Sequence, residues 1–251
     1  ILNMKISNLP EVKGCFVFPH MGDGGLAIGA AISLNHKLHQ IDACTMKTLY
    51  FGQNSSNESI ENCLRENNLS FKKTKDPATI ASKLLLSKKI ILWHQDRAEF
   101  GPRALGHRSI LALPNSTAIK NSLNSIIKQR ESYQPFCPSI LYEDAKRVFI
   151  RFTPNNSFMT MAYTVKNRYK GQLQGVINID GTCRPHIVGS VEKRYYSLLK
   201  KIKRATGIGA ILNTSLNLHG EPMANSPSDT IGVFLRSNIN TLIIGTYVVS
   251  K

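Results

Sequence analysis

The chain has 251 residues, of which 42% are hydrophobic and 19% are charged. This composition is typical of a folded protein and excludes an intrinsically disordered chain. Lysine and arginine number 32 against 16 acidic residues, giving a net charge of +16. Such an excess favours polyanions or phosphorylated small molecules as partners. Because the basic residues are spread along the chain and not gathered in one tail, we do not expect nucleic acid as the main partner.

No apolar run approaches the roughly 18–20 residues that cross a bilayer, so we predict no membrane span. The first residues lack a charged stretch followed by an apolar one, so they do not resemble a signal peptide. The five cysteines are odd in number and form no CxxC pair, which predicts reduced thiols and a cytoplasmic location. The chain does not begin with methionine, and we expect it to start inside a longer parent.

The N-terminal part predicts a strand at 15–18, a glycine-rich turn at 22–25 and a helix at 26–39. A strand-like segment at 48–51 follows, and we place a domain boundary near 40–45. Farther along, helices and strands mix, with Asp76-Pro77 as a helix start and Ser55 with Glu58 at capping-box spacing. This mixture indicates an α/β or α+β fold.

Apolar spacing locates the remaining elements. The predicted helices span 59–67, 78–87, 117–127 and 191–204, with another ending near 235, and the predicted strands span 89–93, 159–165, 176–179, 210–212 and 241–249.

The first segment with candidate functional residues is 97–151, which holds nine basic and four acidic side chains. Arg103 and Arg108 lie in a loop fixed by two glycines and a proline, and their guanidinium groups suit phosphate or carboxylate oxygens. Lys128 and Arg130 follow twenty residues later. The alternative is a set of surface arginines joined by loops.

Two further polar turns follow predicted strands. Arg184 ends an Asp-Gly turn, which is either a ligand contact or a simple hairpin turn. Asn213 and Ser215 follow the strand at 210–212, with His219 beyond them. Their amide and hydroxyl groups either hold an oxyanion or cap the loop.

The glycine-rich turn Gly22-Asp23-Gly24 precedes a helix, where backbone N–H groups can bind phosphate. The carboxylate of Asp23 is a candidate either to bind a metal or to face a nucleotide.

Six strings, in this order along the chain, resemble the O-carbamoyltransferase family of nodulation proteins and antibiotic carbamoylation enzymes. They are FPHMGDGGLAIGAAI (18–32), EFGPRALGHRSILA (99–112), IKQRESYQPFCPSIL (127–141), INIDGTCRPHIV (177–188), ILNTSLNLHGEPM (211–223) and LIIGTYVVSK (242–251).

The resemblance implies two modules. Residues 1–40 resemble the tail of a Kae1-like N-terminal domain of the actin and sugar-kinase ATPase fold. That domain would bind ATP and a divalent metal, usually iron. Residues 41–251 resemble the YrdC-like C-terminal domain, a twisted mixed sheet with flanking helices. This domain would bind carbamoyl phosphate and release the carbamoyl unit for transfer to a hydroxyl of a sugar or natural product.

The resemblance also implies site residues. Lys128 and Arg184 match carbamoyl phosphate contacts and are the catalytic candidates. The other substrate-binding candidates share its motifs, namely Arg103, Arg108, Arg130, Asn213, Ser215 and His219. Gly22, Asp23 and Gly24 match the nucleotide-facing turn, and Asp23 the metal ligand.

Three departures from the family pattern matter. Asp96 stands where glycine is usual, and its carboxylate would repel an anion unless it is paired. His219 replaces a basic residue, and the HxxxH metal ligands of the N-terminal module are missing. The sequence therefore leaves a fragment, a split enzyme completed by a second chain, and an inactive remnant open. A YrdC-like module that binds RNA or another polyanion is also open. The acceptor and the oligomeric state are not encoded in any motif.

Overall fold

A computed structural model describes residues 1–40, 46, 48–154 and 156–251. Its centre is an eight-stranded mixed sheet with helices on both faces, so the predicted α/β class with a mixed sheet and flanking helices is confirmed. No helix among the described residues is long and apolar enough to span a bilayer.

The elements, in chain order, have the following bounds. The helices are α1 (Leu2–Ser7), α2 (Asp23–His39), α3 (Asn57–Glu66), α4 (Pro77–Leu86), α5 (Thr117–Ser122), α6 (Tyr142–Val148), α7 (Lys170–Leu173), α8 (Lys193–Thr206) and α9 (Pro227–Arg236). A π-helical turn, Leu123–Ile127, continues α5, and a 3-10 turn, Asn167–Tyr169, precedes α7. The strands are β1 (Phe71–Lys73), β2 (Ile91–His94), β3 (Arg108–Ala112), β4 (Cys137–Leu141), β5 (Tyr163–Thr164), β6 (Thr182–Cys183), β7 (His186–Val188), β8 (Ala210–Ser215), β9 (Thr241–Ile244) and β10 (Tyr247–Ser250).

The strand order of the large sheet is β1-β10-β9-β2-β3-β8-β4-β7. The pairs β2–β9 and β4–β7 are parallel, and the pairs β2–β3, β3–β8 and β4–β8 are antiparallel. Strands β5 and β6 form a separate two-stranded sheet. Long crossovers therefore bring residues from distant motifs onto neighbouring strands.

Side chains alternate between the two faces of β8. Ile211 belongs to the apolar cluster that α4 and α8 cover, whereas Ala210 and Leu212 belong to the larger cluster on the opposite face. Asn213 follows the Ile211 face but lies near the end of the strand, where polar groups replace the apolar ones. The sheet thus has an apolar centre and a polar margin on the same face.

Four helices of the described chain, α3, α4, α5 and α9, begin with a side-chain cap. The Asp76 carboxylate accepts a hydrogen bond from the backbone N–H of Thr79 at 3.0 Å, as predicted. The first cap of α3 is Ser56, which accepts from the N–H of Ser59, so the prediction of Ser55 was wrong by one residue. Ser226 and Asp229 form a reciprocal capping box at α9.

The N-terminal segment, residues 1–40, contributes little to the core. Neither α1 nor α2 has a buried residue, and side chains such as Leu26 and Leu38 are exposed. The predicted helix is confirmed, with three more residues at its start. The predicted boundary falls beside residues 41–45, which lie outside the described residues.

Three predicted strands are absent from the described residues. The segments 15–18, 48–51 and 176–179 have no ladder partner. Phe16 and Ile179 are exposed instead of buried, so their apolar character misled the prediction. The predicted strand at 241–249 is a hairpin of β9 and β10, because Gly245 adopts a positive φ between them.

Candidate anion-binding site

A stripe of polar side chains crosses the margin of the large sheet. Cys137 and Ser139 alternate onto the same face of β4. In the ladders, Cys137 lies opposite Asn213 on β8 and Ser139 lies beside His186 on β7. Residues that are up to 76 positions apart in the chain, such as Cys137 and Asn213, are therefore neighbours in space.

Arginines from two separate motifs meet beside this stripe. Arg184 donates from Nη2 to the Sγ of Cys137 at 3.4 Å. Burial lowers the pKa of Arg103, and the positive charge of Arg184 lowers that pKa further. The two guanidinium groups are therefore close enough to repel each other.

Lys128 and Arg130 complete the group from the segment after the π-helical turn. Burial lowers the pKa of Lys128 to about 7, and the charge of Arg130 contributes to the shift. Burial also lowers the pKa of Arg130, and Cys137 acts on it in the opposite direction. We call Arg103, Lys128, Arg130 and Arg184 the cation cluster.

The ammonium of Lys128 is held by oxygens of the loop after β8. Its Nζ donates to the carbonyl oxygen of Ser215 at 2.7 Å, to the carbonyl oxygen of Asn217 at 3.0 Å and to the Oδ1 of Asn217 at 2.6 Å. The Nδ1 of His219 lies 2.7 Å from the carbonyl oxygen of Lys128. Lys128 therefore both supplies charge and fixes the 215–219 loop.

Arg130 is oriented by packing as well as by hydrogen bonds. Its guanidinium carbon lies 4.4 Å from the centre of the Phe136 ring, a distance typical of a cation–π contact. Its Nε donates to the Oδ1 of Asn124 at 2.7 Å. These contacts limit where the positive group can point.

The cation cluster has no counter-ion in the described part of the chain. None of the ion pairs there involves Arg103, Lys128, Arg130 or Arg184. Four like charges held together without a carboxylate are unfavourable unless an anion binds among them. This arrangement defines a candidate anion site.

Arg108 does not belong to the cluster, contrary to the prediction. Its side chain is fully buried and donates to the carbonyl oxygens of Gln95, Asp96, His107 and Asn225. It has no exposed atom with which to contact a ligand. Its role is to hold the chain turns around it.

Glu99 organises the loop that carries Arg103, a role that the sequence did not reveal. Its Oε1 accepts from the backbone N–H groups of Leu105, His107 and Arg108 at 2.8–3.0 Å. The sequence shows only that these three donors follow Glu99 by six, eight and nine residues. Sequence reasoning also missed Cys137, which was predicted only as one of five reduced thiols.

Asn213 and Ser215, two of the predicted substrate-binding residues, lie in the polar stripe, and each has a contact within the protein. The Nδ2 of Asn213 donates to the carbonyl oxygen of Ala104 and to the Oγ of Ser139, both at 2.9 Å. Its buried Oδ1 has no hydrogen-bond partner among the described residues. Asn213 therefore offers one free acceptor next to Cys137.

The Asp180-Gly181 sequence forms a turn. The N–H of Gly181 donates to the carbonyl oxygen of Asn178, and Gly181 has a φ of +78°. The Asp180 carboxylate accepts from the N–H and hydroxyl of Thr182. The turn interpretation is correct for these two residues, whereas Arg184 behind them reaches the cluster.

Gly22, Asp23 and Gly24 lie at the start of α2. Gly22 is the N-cap and Asp23 the first helical residue. A Cβ on Gly24 would lie 2.1 Å from the His20 ring, so a larger residue here requires that ring to move. The described residues contain no cluster of three or more metal-ligating side chains. The exposed carboxylate of Asp23 therefore does not form a metal site with the described residues.

Asp96 has a φ of +41°, a conformation that favours glycine. This observation accounts for the glycine that the family pattern has at this position. The Asp96 carboxylate lies 3.1 Å from the Nη1 of Arg194, so it is paired and its repulsion of an anion is reduced.

The fold and site define an α/β module with a candidate anion site of clustered arginine and lysine. Residues 82–251, more than half of the chain, match the family model described as carbamoyltransferase C-terminus. The chain belongs to this family.

Curated relatives agree with this assignment. The chain is 33% identical over 257 residues to nodulation protein NolNO of Sinorhizobium fredii, covering all of this chain and 38% of that protein. It is 29% identical over 252 residues to the 3'-hydroxymethylcephem-O-carbamoyltransferase of Streptomyces clavuligerus, covering 97% of this chain and 45% of that protein. The chain spans less than half of the length of these relatives.

A solved structure of full-length HypF in its phosphate- and nucleotide-bound form is similar at a TM-score of 0.46 and 16% identity. The match covers 69% of this chain and 24% of HypF. This degree of similarity is too low to support an argument about function.

Proposed function

We propose that this chain binds and cleaves carbamoyl phosphate as one half of an ATP-dependent carbamoyltransferase. The acceptor would be a hydroxyl group of a sugar or another natural product. The observation that carries the proposal is the cation cluster, in which four positive side chains from three sequence motifs meet without a counter-ion among the described residues.

The chemistry of carbamoyl phosphate fits this cluster. The substrate is a small dianion, and guanidinium groups bind phosphate oxygens through paired N–H donors. Arg103 is exposed and Arg184 is half-buried, so an entering anion can reach both. Positive charge that is fixed before the reaction also stabilises the phosphate as it leaves, and this is the catalytic role that we assign to Lys128 and Arg184.

The carbamoyl end of the substrate needs different partners. Its amide is a hydrogen-bond donor, and the Oδ1 of Asn213 is a buried acceptor without a partner in the described residues. A buried acceptor left unpaired costs about 1–3 kcal/mol, which binding of the amide would recover. Asn213 therefore suits the amide, and the cation cluster suits the phosphate.

ATP and a divalent metal, with iron as the usual one in the family, would be bound by the half of the relatives that this chain does not span. Residues 1–40 would be the tail of that Kae1-like half. The exposed apolar side chains of α2 suit a helix that packs inside another domain. When bound, the metal and ATP would supply activation of the carbamoyl group.

The proposal is tested by titrating carbamoyl phosphate into the chain in a calorimeter. We expect saturable binding with one site per chain. Arg103→Gln and Arg184→Gln should each weaken binding by roughly 10–100-fold, because each removes charge-assisted hydrogen bonds worth about 1.5–3 kcal/mol. Phosphate release from carbamoyl phosphate, measured separately, reports cleavage.

Arg147→Gln is the matched control, because Arg147 is an exposed arginine already paired with Asp144 at 3.3 Å. It should bind carbamoyl phosphate as the unchanged chain does. Equal loss in all three variants, or no binding by the unchanged chain, would contradict the proposal. Tight, salt-sensitive RNA binding without carbamoyl phosphate binding would favour the polyanion alternative.

A further inference from the structure

A line of buried polar side chains leads away from the cation cluster. The Oγ of Ser139 lies 3.1 Å from the Nδ1 of His186, and the Nε2 of His186 lies 3.6 Å from the Oε1 of Glu192. Ser139 and His186 are fully buried, and the Glu192 side chain is 10% exposed. These three residues are not among the candidates that the family resemblance implies.

The first end of this line is fixed to the proposed substrate site. Asn213 donates to both the Ala104 carbonyl oxygen and the Ser139 hydroxyl, which fixes the orientation of its amide. Because Ser139 already accepts this hydrogen bond, its own hydrogen is available for the Nδ1 of His186. When Ser139 donates to Nδ1, the ring proton of His186 resides on Nε2, which lies 3.6 Å from the Oε1 of Glu192.

The other end of the line opens to a cavity. Glu192 lines a cavity of about 1000 Å³ together with Phe16, Phe158, Ile187 and Val191. The Oε2 of Glu192 and the Nε2 of His186 have no hydrogen-bond partner among the described residues. Buried polar atoms in such a position are usually served by water or by a transferred proton.

We propose that Ser139, His186 and Glu192 form a relay that removes the proton released when carbamoyl phosphate is cleaved by water. This inference rests on the proposed function. Attack by water forms a bond between the water oxygen and the carbamoyl carbon, and the bond between that carbon and the phosphate oxygen breaks. The products are carbamate, hydrogen phosphate and one proton.

The relay gives that proton a path out of a positively charged site. The proton passes to the Ser139 oxygen while the Ser139 hydrogen moves to the Nδ1 of His186. The Nε2 proton of His186 then moves to Glu192, which delivers it to the cavity. An imidazolium formed on the way lies beside a carboxylate, which stabilises it.

The groups around the relay are few. The His186 ring is stacked with that of Tyr195 at 6.0 Å between centroids, and Tyr50 and Glu99 lie near Glu192. Burial raises the pKa of both tyrosines well above the ordinary value, so they stay neutral. The Glu99 carboxylate is engaged with backbone N–H groups. His186 and Glu192 are therefore the members of the line that are left to carry a proton.

His94 provides a matched control. It is a second buried strand histidine, its Nδ1 lies 2.6 Å from the hydroxyl of Thr230, and its Nε2 also has no partner in the described residues. It faces Arg108 rather than a carboxylate. His94→Asn and His186→Asn therefore disturb packing in similar ways, but only His186→Asn interrupts the relay.

The test measures phosphate release by the full chain between pH 5.5 and 8 and carbamoyl phosphate affinity by calorimetry. We expect His186→Asn to lower kcat by about 100-fold, within the range for general acid–base groups, with KM changed less than threefold. Below pH 7, where Lys128 keeps its proton, kcat should rise with pH in the unchanged chain and in His94→Asn, and this rise should be lost in His186→Asn. Glu192→Gln should lower kcat less than His186→Asn does.

Three results would overturn the relay. One is a kcat and pH profile of His186→Asn equal to those of His94→Asn. Another is an unchanged chain that binds carbamoyl phosphate but does not release phosphate. The third, no binding at all, would overturn the proposed function and the relay with it.

Discussion

Arginine and lysine side chains serve two different purposes in two regions of this molecule. Arg108 is surrounded by carbonyl oxygens that accept its hydrogen bonds, and nearby carboxylates counteract the effect of burial on its pKa, which is lowered to about 10. In the cation cluster, by contrast, Arg103 and Arg130 have no carboxylate beside them in the described chain, and burial lowers the pKa of each.

This difference in surroundings distinguishes a cation that stabilises the fold from one that is suited to bind a ligand. A cation whose hydrogen bonds are all made within the protein stabilises the fold, and a ligand has nothing to gain from it. A cation without a counter-ion destabilises the free protein and favours an anion. Proximity in sequence does not distinguish the two, because Arg103 and Arg108 lie in the same motif.

Arg108→Ala should produce the largest loss of stability. The change leaves several buried carbonyl oxygens without donors, so we expect the free energy of unfolding to fall by about 4 kcal/mol. Urea unfolding followed by circular dichroism measures this. Arg103→Gln, from the same motif, should change the free energy of unfolding by less than about 0.5 kcal/mol. Equal losses in the two variants would contradict the distinction between the two kinds of cation.

The double variant Arg103→Gln/Arg184→Gln should show the opposite pattern. Carbamoyl phosphate affinity should fall by at least about 100-fold, since two charge-assisted contacts are lost. The melting temperature without ligand should stay constant or rise, because two repelling charges are gone. Thermal unfolding with and without carbamoyl phosphate tests both the loss of affinity and the unchanged stability. A marked drop in the ligand-free melting temperature would show that these arginines stabilise the fold.

Lys128 lies between the two kinds of cation, because it has internal acceptors and no counter-ion in the part of the chain that the structure describes. Its pKa of about 7 in the free protein means that it loses its proton as pH rises through 7. An anion favours the protonated form, so binding should take up a proton above pH 7, and affinity should fall roughly tenfold between pH 7 and 8.5.

Calorimetry in two buffers of different ionisation enthalpy measures this proton uptake. Lys128→Arg keeps its charge over that range and should bind with nearly constant affinity. An affinity of the unchanged chain that is independent of pH would show that Lys128 does not respond to the anion.

Asp96→Gly should have the smallest effect. It relieves the left-handed conformation at Asp96 and loses an exposed ion pair with Arg194. We expect a net gain in the free energy of unfolding of about 0.5 kcal/mol. Lys88→Gly, at φ +61° without an ion pair in the described structure, should gain slightly more. Destabilisation by Asp96→Gly would mean that the ion pair outweighs the strain.

Much of the fold could be predicted from local patterns. Capping residues and apolar periodicity located α4, α8 and α9, because these signals act within one or two turns of a helix. The strands at 15–18 and 176–179 were predicted wrongly, since an apolar segment becomes a strand only where a ladder partner is available. Whether a ladder partner is available depends on residues far away in the chain, which a local pattern does not reveal.

The candidate site was predictable only in part. Family motifs indicated Lys128, Arg184 and Asn213, which the fold brings to one margin of the sheet. They also indicated Arg108, which is buried elsewhere, because a motif does not reveal which way a side chain points. The Ser139–His186 contact depends on β-sheet register and could not be read from the sequence.

The most direct test of the central claim is a crystal structure of the full chain with carbamoyl phosphate. We predict the phosphate within 3.2 Å of guanidinium nitrogens of both Arg103 and Arg184, a hydrogen-bond distance, with Arg108 making no contact. A phosphate bound elsewhere, with those two arginines free of it, would contradict the account.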